Sequence, residues 1–73
     1  MKAKAIFKKL GYEVYRNYKF KTDNDLIAYT NGGVYIYFYK NKIVEFRCDY
    51  AVGYKVFEAI NQQCRELGWL DEA

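Results

Sequence analysis

Residues 34–48, VYIYFYKNKIVEFRC, decide the fold of this chain. Read with period 2, Val34, Ile36 and Phe38 point one way and Tyr35, Tyr37 and Tyr39 the other. After the KNK break, Val44, Phe46 and Cys48 alternate against Ile43, Glu45 and Arg47. The pattern predicts a hairpin with one apolar face and one tyrosine-rich face. For the two apolar sets to share a side of the sheet, Phe38 must pair with Val44, which leaves Lys40, Asn41 and Lys42 as the loop. A two-residue loop would set Val34, Ile36 and Phe38 beside Glu45 and Arg47. In the preferred register Tyr37 faces Glu45 and Tyr35 faces Arg47 on the outer side, as cross-strand pairs that stack and hydrogen-bond.

Moving upstream, Asn31, Gly32 and Gly33 form a tight turn, and residues 26–30 read as a short strand before it. No Lys-Ser or Lys-Thr follows the glycines, so they make no phosphate loop. KTDND at 21–25 is a polar turn cluster. Residues 12–20 read as a further strand, with Tyr12, Val14, Tyr18 and Phe20 on one face and Glu13, Tyr15, Asn17 and Lys19 on the other. Arg16 interrupts the apolar face, as a snorkelling or edge residue does. At the start of the chain, Ala3, Ile6, Phe7 and Leu10 follow helical spacing among Lys2, Lys4, Lys8 and Lys9. This predicts a short amphipathic helix over residues 2–10, stopped by Gly11.

Downstream, Asp49 is the expected N-cap of a second helix with Val52, Val56, Ala59, Ile60, Cys64 and Leu67 on its inward stripe and Phe57 at the margin. Gly53 weakens its first turns by about 1 kcal/mol relative to Ala. Gly68 stops it, Trp69 folds back toward Cys64, and Leu70 with Asp71, Glu72 and Ala73 forms a short tail. Short connections favour antiparallel hairpins, and both helices need an apolar surface. The expected fold is α+β, in two layers: a four-stranded antiparallel meander sheet with the N- and C-terminal helices on one face, in the order α-β-β-β-β-α. Phe7, Phe38, Phe46 and Ile60 are expected to meet in one core.

With 73 residues the chain is expected to form one small domain, 1–73, near the size at which a single core becomes marginal. The aromatic fraction of 21% compensates, because each ring buries a large area. The chain has no His, which removes the usual general base and the commonest metal ligand. An enzyme is therefore not expected, and no catalytic residue, metal site or cofactor is assigned. Asp23 and Asp25 in the DND turn are better explained by Asx-turn hydrogen bonding than by acid-base or calcium chemistry. Cys48 and Cys64 fall on inward faces without CxxC spacing and are expected to be buried and reduced. With no signal peptide and no long apolar run, a soluble, cytoplasmic protein is expected.

Leu10, Gly11, Tyr12 and Glu13, with Ala59, Ile60, Asn61, Gln63, Glu66, Leu67, Gly68 and Trp69, resemble a group of small uncharacterised phage and prophage-type proteins of Gram-positive bacteria. Those proteins are of the same size and end in a similar A-I-N-x-Q-x-x-E-L-G-W helix. The resemblance covers the two helices better than the sheet. It implies a common fold and a phage or prophage origin, and it carries no activity and no catalytic residue.

Packing both helices on the apolar face leaves Tyr15, Tyr35, Tyr37 and Tyr39, with Glu45 and Arg47, on the other. These residue types are enriched at interface hot spots, so the first reading is a non-enzymatic protein-binding module. Its partner is a host or defence protein, or a second copy of the chain in a homodimer across this face. The bland reading is that tyrosines are good strand formers that tolerate half exposure. The alternative is nucleic-acid binding through the basic helix, with Lys2, Lys4, Lys8 and Lys9 and the aromatic face as a stacking platform. Net charge is +3, with +4 in residues 1–36 and −1 in residues 37–73. Against that alternative, no G-x-G-F-type aromatic strand motif occurs and the second helix opens on Asp49, Tyr50 and Ala51 instead of lysines.

Overall fold

The computed structural model describes residues 1–70; Asp71, Glu72 and Ala73 of the expected tail lie outside the described residues. The elements are α1 (Ala3–Lys9), β1 (Glu13–Val14), β2 (Asp25–Asn31), β3 (Val34–Tyr39), β4 (Val44–Cys48) and α2 (Lys55–Glu66). The strands form one antiparallel sheet in the order β1-β2-β3-β4, an unbroken meander. Phe38 pairs with Val44, Tyr37 with Glu45 and Tyr35 with Arg47. The Tyr39 N–H donates to the Ile43 carbonyl at 2.9 Å, which closes the loop over Lys40, Asn41 and Lys42. The hairpin register therefore follows from keeping both apolar sets on one side.

Both helices cover that side. Ala3 and Phe7 of α1 and Val56 and Ala59 of α2 pack with Tyr29, Val34, Ile36 and Phe38 in a single buried cluster. Fully burying one such aliphatic or aromatic side chain stabilises a fold by roughly 1.5–3 kcal/mol, so these few residues dominate the stability of a small chain. Each helix ends in a paired reverse bond. Tyr12 N–H donates to Phe7 O at 2.9 Å past Gly11, and Trp69 N–H donates to Cys64 O at 3.0 Å past Gly68. Gly11 and Gly68 hold φ of 94° and 76°, which a side chain would resist. Trp69, turned back as its position after the glycine requires, rests 6.2 Å from the Phe38 ring.

Several expectations need correction. The strand expected over residues 12–20 is Glu13–Val14 alone. The Tyr15 N–H still reaches Ala28 O at 2.8 Å, and then Asn17, at φ 56°, turns the chain out of the extended region. Tyr18 consequently leaves the apolar face for the tyrosine face, and Phe20 is 80% exposed.

The second helix starts at Lys55, not after Asp49. Asp49 continues the β3–β4 ladder by donating its N–H to Gly33 O at 3.3 Å, which commits its backbone to the sheet and makes it no N-cap. Gly53 thus precedes the helix and does not weaken it. Phe46 is not core: it is 37% exposed, because β4 is an edge strand, and its ring stacks on the exposed Phe57 of α2. Ile60 packs against the core half-buried, with Phe7 and Phe38 fully inside it. Finally, the Asx turn expected at DND is a Thr22 turn, in which the Thr22 hydroxyl accepts from Asn24 N–H at 3.2 Å.

The largest side chain in the core was not singled out by the sequence. Tyr29 of β2 is buried, stacks on Phe7 at 3.9 Å, and donates its hydroxyl to Gln63 Oε1 at 2.5 Å. Burial pushes the Tyr29 hydroxyl, together with the nearby Glu66 charge, up to about 12. Cys48 and Cys64 are free thiols, but both are half-buried at the margin of the core and not enclosed as expected.

Candidate functional site: the tyrosine face

The face opposite the helices carries Tyr15, Tyr35, Tyr37, Tyr39, Glu45 and Arg47, and the sheet brings all six together. Tyr35, Tyr37 and Tyr39 occupy alternate positions of β3, so their rings stand in a row, with neighbours 6.5 and 6.2 Å apart and tilted by only 11° and 5°. Ala28 of β2 lies opposite Tyr37 and is buried. With only a methyl group there, Tyr15 lies over it and reaches both Tyr35 and Tyr37, at 5.4 and 6.4 Å. A larger residue at position 28 would displace that ring.

Two carboxylates flank the Tyr39 end of the row. Glu45 Oε1 accepts from the Tyr39 hydroxyl at 2.6 Å, and Glu45 Oε2 accepts from Arg47 Nε at 3.0 Å. Those two donors hold the Glu45 carboxyl below its ordinary value, the Tyr39 hydroxyl being the larger cause. Arg47 in turn sits 5.8 Å over the Tyr37 ring. At the same end, on β2, Asp25 Oδ2 accepts from the Tyr18 hydroxyl at 2.5 Å and Oδ1 from Thr22 Oγ1 at 3.0 Å. Asp25 stands opposite Tyr39, and the register shifts by one between Asp25 and Ile27, so Leu26 bulges outward.

Sequence reasoning missed Tyr18, Thr22, Asp25 and Ala28 at this site. Tyr18 stacks on Tyr15 at 4.8 Å and meets Tyr37 edge-on at 5.4 Å. Period-2 reading cannot follow a chain through the left-handed turn at Asn17, and so it places Tyr18 on the apolar side. Ala28 was legible in principle, since the register of the Asn31–Val34 turn places it across from Tyr37.

The rings and carboxylates enclose one side of an open depression of about 690 Å³. Phe20, Ile43, Lys19 and Asn41 complete its wall, and Ile43 is 52% exposed. Burial raises the hydroxyls of Tyr18 and Tyr39, and their bonds to Asp25 and Glu45 raise them further. The Tyr37 hydroxyl is also raised, chiefly by burial. All three are therefore neutral donors through neutral pH, the opposite of what a phenolate nucleophile or base requires. Among the described residues, no group of three or more His, Cys, Asp and Glu could hold a metal ion.

The four lysines of the alternative reading are all exposed and do not act as one patch. Lys4 and Lys8 share a side of α1 and border a depression with Arg16. Lys4 also borders a smaller one with Arg16, Lys21, Tyr15 and Tyr18. Lys2 lies near Glu66, whose carboxylate accepts from the Ala3 N–H at 2.7 Å at the start of α1.

Comparison with protein-family models, with curated proteins and with solved structures returns no match. No helix among the described residues is long and apolar enough to cross a membrane.

Proposed function

We propose that this chain is a small non-enzymatic binding module whose tyrosine face docks a protein partner. The observation that carries the reading is the union of a pre-ordered ring array with exposed apolar side chains in one depression: Tyr15, Tyr18, Tyr37 and Tyr39 beside Phe20 and Ile43. Rings held by each other and by Asp25 and Glu45 lose little entropy on binding, and they offer large contact area with hydroxyls for specificity. Exposed Phe and Ile beside such an array are what a partner's surface would cover. The resemblance to phage and prophage-type proteins supports a host or defence protein as the partner, met in the cytoplasm.

The test is a Tyr35→Thr/Tyr37→Thr variant, which keeps β-branched strand formers at both positions. It should fold with an unchanged far-UV spectrum and lose partners captured by the parent protein from a Gram-positive host lysate. A folded variant that retains every captured partner would remove the tyrosine face from the binding reaction.

One observation favours the nucleic-acid alternative: Lys4, Arg16 and Lys21 meet Tyr15 and Tyr18 in a shared depression, combining cations with stacking rings. That reading requires duplex or single-strand binding that weakens with salt and is lost in Lys4→Glu/Lys8→Glu. The tyrosine-face reading expects those substitutions to leave partner capture intact.

A further inference from the structure

The sheet has two edges of very different character. At one, β1 has only two residues and the chain turns away at Asn17. At the other, β4 runs five residues in unbroken register with β3. Natural edges are usually blunted by proline, a bulge or an inward charge. β4 has none of these, and the chain contains no Pro.

The ladder shows which groups β4 leaves open. Tyr39 bonds to Ile43, and Asp49 to Gly33, at its two ends. In an antiparallel pair the bonded positions recur every second residue, so Ile43, Glu45, Arg47 and Asp49 face β3. The N–H and C=O groups of Val44, Phe46 and Cys48 point away from the sheet. Among the described residues, none of these groups takes part in a backbone bond outside the regular elements.

We infer that this edge pairs with the β4 edge of a second copy of the chain, antiparallel about a two-fold axis at Phe46, to give one continuous eight-stranded sheet. The inference goes beyond the tyrosine-face reading and does not rest on it. The strand VEFRC is self-complementary in this one register. With Phe46 opposite Phe46 of the second copy, Val44 meets Cys48 on the helix side, and Glu45 meets Arg47 on the outer side, twice. Sliding by one pair in either direction sets Glu45 against Glu45 or Arg47 against Arg47, and like charges directly opposite are destabilising. A slip by a single residue would put Phe46 on the charged side. The outward groups of Val44, Phe46 and Cys48 fall at hydrogen-bonded positions, so the pairing forms about six backbone bonds across the axis.

The apolar surface beside the edge points to the same occupant. Phe46 and Phe57 stack on each other at 6.2 Å, and Phe57 is 58% exposed. A second copy brings its own pair to the same axis, so the rings cover each other. The outer face of the joined sheet then carries two tyrosine rows side by side, both open to other partners.

Sedimentation and light scattering of the intact chain test this. The parent should show twice its 8.7 kDa at micromolar concentrations. Glu45→Arg and Arg47→Glu should each weaken self-association by roughly tenfold or more, because each places like charges opposite across the axis. An equimolar mixture of the two variants should recover the dimer, since each copy then presents the opposite sign to the other. In case either variant folds poorly, amide exchange on the parent gives an independent reading. The Val44, Phe46 and Cys48 amides should be protected at high concentration and exchange freely on dilution. A parent that stays monomeric at high micromolar concentration, folded single variants that dimerise like the parent, or unprotected amides at those three positions would each overturn the inference. Loss of the dimer in Tyr35→Thr/Tyr37→Thr but not in Arg47→Glu would also overturn it, by moving the contact to the tyrosine face. Loss of partner capture in the tyrosine variant with the dimer intact is expected and bears only on the other reading.

Discussion

The Tyr29 hydroxyl donates to Gln63 Oε1 at 2.5 Å inside the apolar core, tying the central sheet to α2. Gln63 is the one buried polar side chain among the described residues, and no buried side-chain polar atom there lacks a partner. Tyr29→Phe keeps the ring on Phe7 but strands the Gln63 oxygen, so it should cost about 1–3 kcal/mol. Gln63→Leu in the same background should recover much of that loss. A double-mutant cycle by urea unfolding measures both, and additive single-mutant costs would show that the bond is not shared.

Phe38 and Phe46 belong to the same apolar face, yet only Phe38 is enclosed. Phe38→Ala should cost about 3–5 kcal/mol and leave the chain close to unfolded. Phe46→Ala, at an edge already in contact with water, should cost about 1–2 kcal/mol. Denaturant midpoints at low protein concentration make the comparison, so that any self-association does not enter it.

Lys42 holds φ at 65° in the three-residue loop, where its N–H closes a turn onto Tyr39 O at 3.0 Å. A side chain in that region costs roughly 1–2 kcal/mol, part of which glycine returns as entropy in the unfolded chain. Lys42→Gly should therefore stabilise the protein by up to about 1 kcal/mol, read as a higher melting temperature with an unchanged spectrum.

Alkali should unfold this protein through its tyrosines. Burial pushes Tyr29 up to about 12, and the hydroxyls of Tyr18 and Tyr39 are raised by burial and by their bonds to carboxylates. A folded-state value above the unfolded one means that the native state holds its proton more tightly. The stability these groups supply is thus complete below pH 10 and is lost as the pH rises through about 12. Unfolding midpoints across that range should fall, less steeply in Tyr29→Phe, while phenolate absorbance rises with unfolding.

Acid acts through Glu45 and Glu66 with the opposite sign. The Tyr39 hydroxyl and Arg47 lower Glu45; for Glu66, burial pushes upward but the bonds from Gln62 and the Ala3 N–H outweigh it. Both folded values lie below the ordinary 4.5, so their contribution is complete above that pH and is lost as the pH falls through the lower values. Glu66→Gln should flatten the acid limb of a stability–pH curve, and an unchanged limb would show that its contact with α1 adds nothing.

The alternation in residues 34–48 was enough to set the hairpin register, its three-residue loop, the split into apolar and tyrosine faces, and the antiparallel two-layer fold. Local rules suffice there, because side-chain period and the need to share a core leave a single solution. Gly11 and Gly68 were likewise readable as helix stops, since their job is done by backbone within a few residues. What the sequence by itself could not decide depends on contacts made from far along the chain. Tyr18 crosses to the outer face because Asn17 turns the backbone and Asp25 receives its hydroxyl. Asp49 serves the sheet because Gly33, sixteen residues earlier, offers its carbonyl. Phe46 falls outside the core because its strand lies at the sheet edge, and Tyr29 falls inside it because Gln63 of α2 accepts its hydroxyl, which makes a buried phenol tolerable.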